Sequence, residues 1–165
     1  MTTLRPALFV DLDNTVRETL TGRSHPLWPE DQELRPGVRE KLAEFREVGY
    51  AIVGVTNQGG VAFGTLTEPE VRAINHYLSD HLAPGLFDLI LFSPYHPYGS
   101  VTRYARFSHH RKPGPGMAHE ARDRLGLDLA SSIMVGDRET DRLFAENAGI
   151  AHFYWAHEFF GTASA

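Results

Sequence analysis

The chain contains no cysteine among its 165 residues. That absence excludes disulfides, a thiol nucleophile and cysteine-ligated zinc. It also lacks any apolar run near the ~20 residues that a membrane-spanning helix requires. Neither sign of charge dominates: 16 Lys and Arg oppose 21 Asp and Glu, a formal net charge of −5. This balance weakly opposes long duplex nucleic acid as the partner, because such binding rests on neutralising many phosphates. No internal repeat or low-complexity tract is present. The opening residues, Met1-Thr2-Thr3-Leu4-Arg5-Pro6, lead straight into an apolar stretch, with no room for a signal peptide ahead of it. A cytoplasmic monomer without membrane association is the expectation. The 42% apolar and 22% charged residues are those of a globular chain, and the length suits one domain over residues 1–165.

What the chain does contain begins with Asp11-Leu12-Asp13-Asn14-Thr15, directly after the apolar run Ala7-Leu8-Phe9-Val10. On a strand, residues i and i+2 share a face. Two aspartates there repel unless a cation lies between them or one holds a proton. Both escapes point to chemistry. One carboxylate can bind a metal and attack phosphorus while the other moves a proton.

Apolar runs predict strands over 7–11, 50–55, 88–92, 132–136 and 151–154. Helical spacing predicts helices over 37–47, 67–82, 115–125 and 139–148. Thr67 and Glu70 form a capping box, and Gly49, Gly126 and Gly149 suit left-handed helix ends. Strands alternating with helices predict an α/β fold: a three-layer, Rossmann-like parallel sheet with helices on both faces and no separate cap domain. Continuous apolar strands suit a sheet covered on both sides. Residues 14–35 and 93–112 show no clear element, and each follows the carboxyl end of a strand. Long structureless loops are usually functional, and open α/β sheets bind ligands at that rim.

Four polar signals fall on this rim. They are Asp11 with Asp13, Thr56-Asn57-Gln58-Gly59-Gly60, Arg111-Lys112-Pro113-Gly114-Pro115-Gly116, and Gly136-Asp137 with Asp141 one turn further on. Each alone is weak, since a strand-end Thr or Gly-Asp is usually a turn and a lone lysine is usually solvated. Arg103, Arg106, His109, His110, Arg111 and Lys112 crowd one segment, which reads either as a solvated loop or as a phosphate-facing one.

In this order the four signals resemble the motifs of the haloacid dehalogenase superfamily of phosphotransferases. The resemblance implies an Mg²⁺-dependent phosphomonoester hydrolase in which Asp11 attacks phosphorus and forms an aspartyl-phosphate. Asp13 would protonate the leaving group and then activate water. Thr56 would bond the transferring phosphoryl group, and Lys112 would offset charge on Asp11 and the phosphate. Asn57 would contact phosphate through its backbone amide, and Arg111 would bind substrate. Mg²⁺ would rest on the carboxylates of Asp11 and Asp137 and the Asp13 carbonyl, with Asp141 a supporting acid.

Residues 93–117 resemble the corresponding loop of heptose bisphosphate phosphatases and related histidinol phosphatases, which commonly carries zinc on three cysteines and one histidine. Those positions hold Ser93, Tyr95, Ser108 and His110 here, a poor zinc set, so no zinc is expected. His96, His109 and His110 leave a different site open. Without zinc, Tyr95, Tyr98, Tyr104 and Phe107 are expected to hold the loop by packing.

Thr19-Leu20-Thr21-Gly22-Arg23-Ser24, Asp141-Arg142-Leu143-Phe144-Ala145-Glu146-Asn147 and Glu158-Phe159-Phe160 resemble the phosphatase domain of polynucleotide kinase 3′-phosphatases. The substrate reading is therefore a small sugar or histidinol-type phosphate, with a nucleic-acid 3′ end as the alternative. A phospho-aspartate receiver-like switch carries an acceptor aspartate, Mg²⁺, Ser/Thr and lysine, but its acceptor follows the third strand. An inert binding module would have lost Asp11, Asp13 or Lys112. Trp28 and Trp155 could each line the site or a partner surface.

Overall fold

The computed structural model describes residues 3–161, so Met1 and Thr2, the first residues of the expected leaderless start, lie outside it. Five parallel strands form one sheet: β1 (Ala7–Val10), β4 (Ala51–Asn57), β5 (Leu89–Ser93), β6 (Ile133–Gly136) and β7 (His152–Trp155). Their order across the sheet is β5-β4-β1-β6-β7, so β1 is central and the chain leaves it in both directions. Crevices at such a reversal, outside the carboxyl ends of the strands, are where open α/β sheets bind ligands.

The apolar runs work as expected because both faces are covered. Ala7 and Phe9 face a core shared with Met117, Ala118 and Ala121 of α3 (Gly116–Leu125) and Phe144, Ala145 and Ala148 of α4 (Glu139–Ala148). Leu8, Val10 and Leu12 face the opposite core with Val38 and Leu42 of α1 (Val38–Glu47), Leu78 and Phe160. Helix α2 (Glu68–Tyr77) starts at the Thr67–Glu70 capping box. The helix predicted over 67–82 changes character at Leu78, where residues Leu78–Leu82 form a wider π-type turn.

Two further elements escape the sequence pattern. Residues 14–35 contain a two-stranded antiparallel ribbon, β2 (Arg17–Glu18) with β3 (Glu33–Leu34). Strands of two residues are too short to show alternation, so only contacts from outside them define the ribbon. A final turn of helix, α5 (Ala156–Phe159), caps one core. Among the described residues no helix is long and apolar enough to cross a membrane.

Candidate active site

A cleft of about 260 Å³ opens at the carboxyl ends of β1 and β4 and the start of α4. Asp11, Asp13, Thr56, Asn57, Gln58, Arg111, Lys112 and Asp141 all line it. The rim expected to carry chemistry is thus one site. A larger hollow, about 650 Å³, runs along β5 between α2 and α3, away from these groups.

Lys112 is buried, with its Nζ 2.8 Å from Asp11 Oδ1, 2.7 Å from Asp141 Oδ1 and 2.8 Å from the Val55 carbonyl. All three ammonium hydrogens therefore have acceptors. Burial works against the charged lysine, but Asp11 and Asp141 outweigh it and hold its pKa above the usual 10.5. Burial pushes the Asp11 carboxyl well above its usual range; Lys112 opposes this, and Asp141 and Asp137 add to the rise. The lysine is held by its own backbone. Asn57 Nδ2 donates to the Lys112 carbonyl (3.0 Å), and the Lys112 amide donates to Asn57 Oδ1 (2.9 Å). The Asn57 side chain is committed to this clamp.

Asp141 sits in the first turn of α4, where backbone amides lack partners within the helix. Its Oδ2 accepts from the amides of Asp137 and Arg138, both at 3.1 Å. Oxygens of Asp11, Asp137 and Asp141 lie within 4.8 Å of one another, and among the described residues this is the one such convergence of acids or histidines. Three carboxylates against one ammonium leave an excess of negative charge on hard oxygens, a donor set fit for a divalent cation. Asp141 has both oxygens engaged, Asp11 gives Oδ1 to Lys112 and keeps only the longer Thr15 bond on Oδ2, and Asp137 has the freest oxygens. The Thr15 hydroxyl ties Asp11 and Asp137 together, 3.2 Å from Asp11 Oδ2 and 3.5 Å from Asp137 Oδ1.

Each of the two aspartates also has a cationic partner of its own. Lys112 pairs with Asp11, and Arg17 Nε lies 2.8 Å from Asp13 Oδ1. Gln58 Nε2 donates to Asp13 Oδ2 (3.1 Å) and to Thr56 Oγ1 (2.9 Å).

Residues 109–157 match the HAD-hydrolase-like family model. The D-glycero-β-D-manno-heptose-1,7-bisphosphate 7-phosphatase of Salmonella typhi is 37% identical over 147 residues, 88% of this chain and 77% of that protein. Its counterpart in Yersinia pestis is 38% identical over 152 residues, covering 91% and 79%. This chain belongs to the haloacid dehalogenase superfamily and is a phosphatase. Among solved structures it resembles the D,D-heptose 1,7-bisphosphate phosphatase of B. bronchiseptica complexed with magnesium and phosphate. The TM-score is 0.73 at 27% identity, over 89% of this chain and 78% of that one. A protein from Mesorhizobium loti assigned as a HAD-like phosphatase gives 0.83 at 33% identity, over 94% and 74%.

The basic segment of the phosphatase divides. Arg111 and Lys112 reach the cleft, and Arg111 Nη1 also donates to the Tyr95 carbonyl at 3.1 Å. Burial and the nearby Arg138 lower the Arg111 pKa below its usual value, and both guanidiniums line the cleft. Arg103 lies over Tyr104 and Arg106 over Tyr95, 5.3 and 4.4 Å from the ring centroids. These two, with His109 and His110, do not line the cleft. The packing expected of the loop aromatics holds for half of them. Tyr95 and Tyr104 contact each other, and Tyr104 donates to Glu68. Tyr98 and Phe107 are 80% and 84% exposed, although Tyr98 lies beside the His96 ring, 5.9 Å between centroids. Backbone bonds, His96 to Tyr104 and Val101 to Ala62, serve instead.

Sequence reasoning gave no site role to Arg17, Gln58, Ser24, His25, Arg138 and Thr140 of this phosphatase, although Gln58 and Ser24 fall within motifs it singled out. The last five line the cleft, and Arg17 lies behind it. A charged residue four positions after Asp13, flanked by the buried Val16, was the available signal for Arg17. Neither Trp28 nor Trp155 lines the cleft. Arg23 covers Trp28, and Trp155 packs edge-on against Phe153.

Proposed function

We propose that this phosphatase hydrolyses the phosphomonoester of a small phosphorylated sugar through an aspartyl-phosphate on Asp11. One observation carries the reading: the Asp11 carboxylate ends the central strand, faces the cleft and is held by the buried Lys112. In the first step Asp11 attacks phosphorus, and the leaving oxygen takes a proton from Asp13. In the second, Asp13 removes a proton from water, which attacks phosphorus and returns the electron pair to Asp11. Thr56 donates its hydroxyl to the transferring phosphoryl group, and Lys112 offsets its charge. Asp11 and Asp137, with the Asp13 carbonyl, would hold Mg²⁺, which supplies charge neutralisation between nucleophile and phosphate. Arg111 and Arg138 share one cleft despite their repulsion, an arrangement that suits a further anionic group on the substrate.

Small substrates are favoured over a nucleic-acid end because Arg103 and Arg106 fold onto tyrosines rather than toward the cleft. The relatives named for heptose bisphosphate hydrolysis point the same way. The loop over 93–112 carries no zinc in this reading. Ser93 is buried with no hydrogen-bond partner for its hydroxyl, Ser108 caps the His110 amide, and His110 faces Glu120 at 3.6 Å. Metal analysis showing one zinc per chain would overturn that part.

The deciding experiment is phosphate release with Mg²⁺ across heptose bisphosphate, histidinol phosphate, other sugar phosphates, nucleotides and a 3′-phosphorylated oligonucleotide, with Asp11→Asn as the blank. The sugar phosphates are expected to lead. Preference for the oligonucleotide would replace this reading with an end-processing one. Near-normal turnover by Asp11→Asn would remove the nucleophile.

A further inference from the structure

Arg17 is 1% exposed, and a guanidinium does not shed its proton to escape burial. A charge in that position needs an anion and a full set of acceptors. Asp13 is the anion, 2.8 Å from Nε. Nη1 adds Asn75 Oδ1 at 3.0 Å and Gln32 Oε1 at 3.3 Å, both on buried side chains. Gln32 is itself fixed, since its Nε2 donates to the carbonyls of Pro29 (2.8 Å) and Ile74 (2.9 Å). The guanidinium, carried on β2, therefore connects Asp13 to the segment just before β3 and to α2, both outside the cleft.

The local chain is shaped to bring Arg17 back to Asp13. The amides of Thr15, Val16 and Arg17 all converge on the Leu12 carbonyl, at 3.0–3.2 Å. Asn14 adopts a left-handed conformation, φ 64°, which asparagine tolerates better than most residues. Its amide bonds the Arg17 carbonyl at 2.8 Å. Asp13 thus has one donor on each oxygen, Arg17 on Oδ1 and Gln58 on Oδ2. A carboxylate pinned from both sides has one orientation toward the cleft.

We propose that Arg17 is a positioning residue for proton transfer: it fixes the Asp13 carboxyl where the leaving oxygen forms. The inference rests on the reading of Asp13 as proton donor. Breaking the P–O bond sends its electron pair to the leaving oxygen, which takes the proton from Asp13 in its acid form; Asp13 is then the anion paired with Arg17 until the attacking water returns a proton to it. An alkoxide leaving group needs that proton, whereas p-nitrophenolate leaves almost equally well without it. Misplacing the donor therefore harms one substrate class selectively, and loss of fold or of phosphate binding harms both.

The experiment compares kcat/KM for the sugar phosphate turned over best and for p-nitrophenyl phosphate. Wild type, Asp13→Asn, Arg17→Met, Arg17→Lys and Asn75→Ala are measured. Asn75→Ala removes an anchor of Arg17 and leaves the ion pair in place, so it reads the proposal even where Arg17→Met does not fold. Arg17→Met is expected to lower the sugar phosphate value about 10²-fold, the scale of a misplaced catalytic group. The same variant should stay within about twofold on the aryl phosphate, whose departure draws little on general acid catalysis. Arg17→Lys and Asn75→Ala should show the same selectivity in weaker form. Equal losses on both substrates in the Arg17 and Asn75 variants, with Asp13→Asn still selective, would overturn the positioning role alone. A non-selective Asp13→Asn would overturn the proton-donor reading and the positioning role with it.

Discussion

The Lys112 ammonium lies 2.8 Å from Asp11 Oδ1, although 101 residues separate the two in the chain. The pair is buried, and the lysine also holds Asp141. Removing it leaves two buried carboxylates facing each other across a vacated position. Lys112→Met is expected to lower kcat by about 10²–10³-fold, as loss of a preorganised charge stabiliser does. Breaking a buried pair by deleting one partner costs about 3–5 kcal/mol of stability. Steady-state kinetics and chemical denaturation check the two parts separately. Unchanged kcat in a folded variant would detach Lys112 from the reaction.

Asp11 and Asp137 share the Thr15 hydroxyl, and their oxygens converge with those of Asp141. Asp137→Asn removes one charged donor and leaves Asp11 and Lys112 in place. The variant is expected to need much more Mg²⁺ for half-maximal rate and to recover part of its kcat at saturation. Metal titration of the rate checks this. Chelation should silence wild type, and added Mg²⁺ should restore it. A wild-type Mg²⁺ curve from Asp137→Asn would exclude that carboxylate as a ligand.

Much of this site was legible in the sequence because its parts obey local rules. Strands buried on both faces read as unbroken apolar runs, so the ends of β1, β4 and β6 were visible, and polar residues just past them had to lie on one rim. Arg17 was not legible. Its partners come from Asp13, Gln32 and Asn75, on three separate segments, and two-residue strands carry no periodicity. Asn57 shows the same limit in another form. Its position at the end of β4 was evident, but the use of its carboxamide to grip the Lys112 backbone depends on the fold of a loop 55 residues away. Tyr98 and Phe107 misled in the opposite sense, since an aromatic in a loop looks like an anchor whether or not anything packs on it.

Gly136 ends β6 directly beneath Asp141. A Cβ built there would overlap the Asp141 side chain, which cannot yield without releasing Lys112 and the amides of Asp137 and Arg138. Gly136→Ala is therefore expected to lose activity more than its size suggests, and to lose stability by about 1–3 kcal/mol as overpacked sites do. Gly126→Ala is the control. It sits at a left-handed helix end with nothing nearby, so it should cost stability without affecting kcat. Measuring kcat and unfolding for both separates displacement of Asp141 from backbone strain.

Asp31 organises the loop that delivers Ser24 and His25 to the cleft. Its Oδ1 accepts from the amides of Leu20 (2.9 Å) and Thr21 (3.0 Å), and its Oδ2 from the Thr21 hydroxyl (2.6 Å). Burial works against the ionised form, but the bonds from Thr21 and Leu20, with the nearby Arg23, outweigh it and lower the pKa below 3.8. The unfolded chain therefore binds this proton more readily than the folded one, and folding is favoured wherever Asp31 is ionised in both. That contribution is complete above the unfolded value and disappears as pH falls through the folded one. Asp31→Asn, which cannot accept as strongly on both oxygens, should melt at a lower temperature than wild type at neutral pH. The gap should narrow in acid below the ordinary carboxylate range, and KM should rise with kcat less affected because Ser24 and His25 line the cleft without touching Asp11 through any hydrogen bond. Melting curves from pH 7 down to pH 3 test the linkage. A gap of constant size across that range would show that the carboxylate charge is not what holds the loop.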